Sequence, residues 1–175
     1  MRILITGASG SGTTTLGRAL ATEMNCAFFD ADDYYWMPTD PPFRDKRDHA
    51  SRLKNLLQDL TQSPAVIAGS IMNWGAELEE SLSLVVFLTV PAEIRVARLS
   101  EREIGRFGRV EPEFLAWAAQ YDEGRLAGRS LHRHEHWLAQ RGCPVLRIDG
   151  DTSIQDRLAR VRALASRPGA PSGLC

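Results

Sequence analysis

The sequence predicts an α/β protein: a five-stranded parallel sheet with helices packed on both faces, a three-layer sandwich. Three observations carry this expectation. Short apolar runs alternate along the chain with stretches whose apolar residues recur at helical spacing, the pattern of strands joined by crossover helices. Glycines crowd the passage from the first apolar run to the first helical stretch, between Gly7 and Gly12. The run 84–90 is apolar almost throughout, as a strand covered on both faces must be.

In chain order, the first strand occupies 2–6 and closes in a Gly/Ser/Thr-rich turn over 7–15. Leu16, Ala19, Leu20 and Met24 then mark the first helix. A second strand over 27–30 leads into the acidic and aromatic stretch 30–36, and Pro38, Pro41 and Pro42 make the next connection irregular. From Asp45 the helical period returns with Leu53, Leu56, Leu57 and Leu60, while Arg47, Arg52 and Lys54 take polar positions. The third strand is 65–68, closed by Gly69 and Ser70, and the fourth is 84–90. Pro91 opens the helix after it, a favoured first-turn position. On that helix Arg95, Arg98 and Arg102 stand at i, i+3 and i+7, along one side. Residues 104–110 read as a Gly/Arg-rich connection, followed by a long helix with Phe114, Trp117, Ala118 and Tyr121 as its stripe. A fifth strand at 144–148 and a last helix at 154–165 complete one domain over 1–166, and 167–175 read as a flexible tail. Sheets of this kind bind ligands at the carboxyl ends of their strands. The glycine turn, Asp30, Ser70 and the helix start at Pro91 all fall on that edge.

Composition narrows the function classes. With 175 residues the chain can bury roughly 70% of its unfolded surface. Its 43% hydrophobic and 25% charged residues exclude a disordered or fibrous protein. A net charge of −1 leaves no basic field for wholesale binding of a nucleic-acid polymer, so any phosphate recognition is local. Cys26, Cys143 and Cys175 share no metal-like spacing and read as reduced thiols. No run reaches the ~18 apolar residues of a membrane span, and the apolar start is too short for a signal peptide. The expectation is a cytoplasmic monomer or homodimer. Only Lys46 and Lys54 are lysines, so a mechanism that needs one has few candidates.

The turn itself carries the chemistry. Gly7-Ala8-Ser9-Gly10-Ser11-Gly12-Thr13-Thr14 fits G-x-x-x-x-G-K-[ST] with Thr13 in the lysine's place. Glycines let backbone N–H groups turn inward to cradle a phosphate, and the helix that starts near Thr13 and runs through Thr15 adds its positive dipole end. Thr14 sits where a hydroxyl ligates Mg²⁺. A dinucleotide site is the rival reading, because Ile5-Thr6-Gly7-Ala8-Ser9-Gly10 also resembles the opening of short-chain dehydrogenases, with Asp30 twenty residues on for a ribose hydroxyl. Against it stand the third glycine at position 12, the absence of a Tyr-x-x-x-Lys pair, and the short chain.

Taken with the strand order and the arginines, this loop resembles that of the P-loop kinases of the adenylate kinase type, among which shikimate and gluconate kinases are relatives. The resemblance covers roughly residues 1–165 and implies a P-loop NTPase-type sandwich, ATP with Mg²⁺, and transfer of the γ-phosphoryl to a small acceptor. In that family the fourth strand leads into P-x-x-x-x-x-x-R-x-x-x-R, here Pro91 to Arg102. By resemblance Arg98 lies against adenine and Arg102 reaches the donor phosphates. A short lid over 103–111 offers Arg106 and Arg109 to the transferring phosphate, and Arg125 and Arg129 resemble the further arginines that follow the lid in the family. The Asp30-Ala31-Asp32 segment resembles the family's D-x-D, which makes Asp32 the expected base and a metal partner of Thr14. The acceptor segment is 31–62, with Asp30, Tyr34, Arg44, Ser70 and Trp74 as its expected contacts. Arg44, Lys46 and Arg47 read as an anion patch.

Two family parts are absent: the loop lysine, and the aspartate before the glycine that closes the third strand, where Ala68 stands. One preorganised cationic contact is worth ~3–4 kcal/mol in a transition state. A kinase with arginines compensating and a non-catalytic nucleotide binder therefore both remain open. His132, His134 and His136 are expected at the surface of a helix end rather than on a metal.

Overall fold

The computed structural model describes residues 1–61, 64–124 and 128–165. Five strands, β1 (Arg2–Gly7), β2 (Ala27–Asp30), β3 (Ala65–Ala68), β4 (Leu84–Thr89) and β5 (Val145–Asp149), form one sheet in the order β2-β3-β1-β4-β5. Every pairing is parallel, with Asp30 beside Ala68, Ala68 beside Ile5, Gly7 beside Leu88 and Thr89 beside Asp149. The carboxyl ends thus share one edge, and the helices α1 (Thr13–Glu23), α2 (Ala31–Tyr35), α3 (His49–Asp59), α4 (Ala76–Glu80), α5 (Ala92–Phe107), α6 (Pro112–Ala119), α7 (Leu131–Ala139) and α8 (Ile154–Ala165) lie around it.

Alternation along the strands makes two cores. Leu4, Ile67, Val85 and Phe87 face Leu56, Leu78, Trp137 and Leu138 of α3, α4 and α7. Ile3, Ile5, Val66, Val86 and Leu88 face Leu16, Leu20 and Val161 of α1 and α8. Both faces of the central strands are buried, which is why 84–90 is so uniformly apolar.

Several elements differ from the sequence reading. The connection expected at 104–110 is helical through Phe107: α5 passes Gly105 and stops where Gly108 turns left-handed (φ 70°) and returns its N–H to the Ile104 carbonyl. A lone glycine costs a helix only ~1 kcal/mol, too little to end it. The long helix after the lid is eight residues, α6, so that Tyr121 lies beyond its end. The short α4 and the separate α7, capped by Ser130, were not anticipated. The tail 167–175 and Arg125 lie outside the described residues. No helix among those described is long and apolar enough to cross a membrane.

Candidate active site: the glycine loop and its arginines

The loop between β1 and α1 has the shape its glycines predict. Gly10 and Gly12 sit at φ 82° and 91°, where side chains are strained, and a Cβ on Gly10 would stand 2.6 Å from the Arg95 carbonyl oxygen. The first intrahelical bond of α1 runs from the Leu16 N–H to the Gly12 carbonyl, and Gly12 brings no capping side chain. The N–H groups of Thr13, Thr14 and Thr15 therefore look for acceptors outside the helix, at its positive end. The Ser11 hydroxyl is buried in the loop without a partner. Behind the loop Arg157 of α8, 2% exposed, donates Nη1 to the Ser11 carbonyl at 2.9 Å and Nε to Thr152 Oγ1 at 3.1 Å. Burial lowers its pKa from the ordinary arginine value. An orphan hydroxyl, unpaired N–H groups and a buried cation fit a bound phosphate chain.

At the mouth of the loop Thr14 Oγ1 donates to Asp30 Oδ2 at 2.9 Å, while Asp30 Oδ1 accepts the Asp32 N–H at 3.1 Å and so caps α2. The carboxylate paired with Thr14 is thus Asp30, where the sequence reading expected Asp32. Asp32 is exposed to water, yet the protein around it raises its pKa through desolvation first and the neighbouring Asp30 charge second. The Arg129 and Arg102 charges pull it the other way. Among the described residues no three His, Cys, Asp or Glu side chains assemble for a metal. Mg²⁺ in phosphoryl transfer needs less, since it keeps waters and takes one or two protein oxygens beside the phosphates.

The arginines divide by what they touch. Arg98 pairs with Asp151, past β5, at 2.6 Å. Arg102 donates Nε and Nη2 to Glu103 Oε1, Arg106 is exposed in the last turn of α5, and Arg109 pairs with Glu111 at 3.2 Å. Arg95 leaves the side it was expected to share: it is fully buried, donating to the Val90 and Ala118 carbonyls and to Asp122. Arg129, which precedes the Ser130 cap of α7, donates Nη2 to Ser9 Oγ at 3.0 Å, with its guanidinium carbon 5.7 Å from the Trp117 ring centroid.

Acceptor-side residues are partly reassigned. Tyr34 gives its hydroxyl to Asp59 Oδ2 at 2.6 Å, and Trp74 is 3% exposed, so one is tied to α3 and the other belongs to the core. Ser70 is half-buried beside Gly69, which packs on Ala31 and faces Asp30, and Arg44 is exposed. Arg47 donates Nε to the Tyr34 carbonyl. Arg52 lies 4.3 Å over the Tyr35 ring and 5.7 Å over Trp74, with its Nε buried and unpartnered. Sequence reasoning passed over Arg157, gave Arg52 only a polar helix position and Arg129 only a place among the arginines after the lid, and expected His134 at the surface. The histidine is no surface group: it is fully buried, with Tyr121 Oη 2.5 Å from Nδ1 and Thr6 Oγ1 3.4 Å from Nε2.

The family described as "AAA domain" matches residues 3–115. The chain belongs to this family. It is 40% identical to the uncharacterized protein YqaC of Bacillus subtilis (strain 168), across 91% of this chain and 94% of that one. In three dimensions this AAA-domain protein is similar to shikimate kinase from Bacteroides thetaiotaomicron, with a TM-score of 0.58 at 21% identity over 95% and 99% of the two chains. It is also similar to a gluconokinase from Sinorhizobium meliloti 1021, with a TM-score of 0.54 at 18% identity over 91% and 87%. Its fold is that of the P-loop kinases of the adenylate kinase-like group.

Proposed function

We propose that this AAA-domain protein is a small-molecule kinase that moves the γ-phosphoryl of ATP to a hydroxyl of a small acceptor. The observation that carries the reading is the Thr14–Asp30 pair at the mouth of the glycine loop, with Asp32 joined to Asp30 through its N–H. Bound Mg²⁺ would neutralise phosphate oxygens and be held through Thr14 and Asp30. Asp32 takes the proton from the acceptor hydroxyl as its oxygen bonds to the γ-phosphorus and the bond to ADP breaks, leaving the electron pair on ADP. Arg98, Arg102, Arg106 and Arg109 supply charge along α5 and past its end for the donor. The neighbours named shikimate kinase and gluconokinase support a hydroxylated carboxylic acid as acceptor, and Arg52 on its aromatic shelf suits the carboxylate.

Calorimetric titration with ATP, with and without Mg²⁺, followed by a screen of hydroxy acids for ADP release, tests this. Binding strengthened by Mg²⁺ together with acceptor-dependent ADP supports it, and absence of nucleotide binding overturns it. Thr13 and Ala68 favour a second reading, a nucleotide binder without turnover, which predicts Mg²⁺-dependent binding and no ADP release on any acceptor. A dinucleotide site fits less well, since both Asp30 oxygens are engaged within the chain.

A further inference from the structure

The geometry points to Arg129 as the cation that replaces the lysine missing at position 13, delivering its guanidinium from the entrance of α7 to the terminal phosphate of a nucleoside triphosphate in the glycine loop. The inference rests on the nucleotide reading above and asks which residue meets the γ-phosphate. In a loop of this type the lysine reaches the β- and γ-phosphates. A substitute must bring a permanent charge to the open side of the loop, with no loop peptide between it and the ligand.

Among the described residues two guanidiniums touch the loop. Arg157 bonds the Ser11 carbonyl from behind and is 2% exposed, so it supports the backbone. Arg129 instead bonds a side chain, Ser9 Oγ, at the half-exposed middle of the loop. The other cations near the site make no hydrogen bond to the loop: Arg98 pairs with Asp151, Arg102 with Glu103 and Arg109 with Glu111, Lys46 lies 5.9 Å over the Tyr35 ring, and Arg106 is exposed in the last turn of α5. Arg129 is also well founded. The next residue, Ser130, is fully buried and caps α7, and Leu131 donates its N–H to the Tyr121 carbonyl at 2.9 Å. Trp117 lies near its guanidinium. A planar fork placed there can take two phosphate oxygens at once, which a lysine ammonium does less well. The Ser9 hydroxyl holds the guanidinium in place before the ligand arrives.

The test is a cycle of four proteins, wild type, Arg129→Met, Thr13→Lys and the double variant. Each is titrated calorimetrically with Mg²⁺ and either ADP or a non-hydrolysable ATP analogue. Wild type is expected to prefer the triphosphate. Arg129→Met should lose at least about tenfold of that preference with ADP affinity nearly kept, because only the γ-phosphate contact is removed. Thr13→Lys should restore the preference in the Arg129→Met protein and add little to wild type, since two cations then compete for the same oxygens. A residue that merely braced the fold would show no such rescue. Equal gains from Thr13→Lys in both backgrounds, or an undiminished preference in Arg129→Met, overturn the inference while leaving nucleotide binding intact. If Arg129→Met does not fold, Arg129→Lys replaces it in the same cycle and is expected to lose part of the preference. Failure of wild type to bind either nucleotide removes the underlying reading, and this one with it.

Discussion

Asp32 shows how a catalytic demand and folded stability oppose each other at one residue. Its pKa is raised by desolvation and by Asp30, so the folded protein binds this proton more tightly than the unfolded chain does. The protonated form favours folding, and that contribution is lost as pH rises through the raised pKa. The ionised form needed for proton transfer is therefore the destabilising one. Asp32→Asn is expected to cut turnover about 10²-fold or more and to raise the melting temperature at neutral pH. A lower melting temperature would show that the ionised carboxylate is held by contacts stronger than its desolvation. In wild type, kcat/KM should rise with pH through the pKa of Asp32. Arg102 is among the charges that lower this pKa, so Arg102→Ala should move the acid limb of the profile to higher pH, measured on the residual activity.

Among the elements, those set by local pattern were legible and those set by long-range contact were not. The bounds of β2 and β3 match the apolar runs, because a short strand between turn residues needs nothing distant to define it. The glycine loop is legible for the same reason, since its φ angles are a local requirement. Arg129 reaches Ser9 across 120 positions, and nothing local separates it from the other arginines of an arginine-rich chain. By sequence His134 reads as a surface group, since it stands among the polar His132, Arg133 and His136 and nothing local shows what covers it. In the fold it points to Thr6 at the end of β1, and its two ring nitrogens meet two hydroxyls, which can satisfy the neutral ring without exposing it to water. Burial, assisted by Arg129, lowers its pKa to about 3. The unfolded chain then takes up a proton that the folded one refuses. Stability should be full above the ordinary histidine pKa and fall at up to about 1.4 kcal/mol per pH unit below it. Urea denaturation from pH 7 to pH 4.5 checks this, and His134→Gln should flatten the slope. An unchanged slope in that variant would place the acid sensitivity elsewhere.

At the scale of the molecule, one buried polar chain joins the glycine loop to the helices that bring the arginines. Arg95 of α5 donates to the Val90 carbonyl at 2.8 Å, to the Ala118 carbonyl of α6 at 3.2 Å and to Asp122 at 2.6 Å. Its guanidinium lies 5.3 Å from the Tyr121 ring centroid, Tyr121 meets His134 of α7, and His134 meets Thr6. The backbone of Arg95 also packs on Gly10. A change at Arg95 thus reaches the loop by two routes, through Gly10 directly and through His134. Arg95→Met keeps much of the side-chain volume but strands two carbonyls, whereas Asp122, 43% exposed, can return to water. The expected loss is about 3–5 kcal/mol, or roughly 10 °C in melting temperature for a chain of this size. Asp122→Asn should cost far less, because the three donors of Arg95 keep their acceptors. If the chain couples stability to the site, any folded Arg95→Met protein will also bind nucleotide more weakly, while Asp122→Asn binds as wild type does. Melting curves recorded with and without ATP give both readings, and an Arg95→Met protein as stable as wild type would mean that the buried guanidinium only fills space.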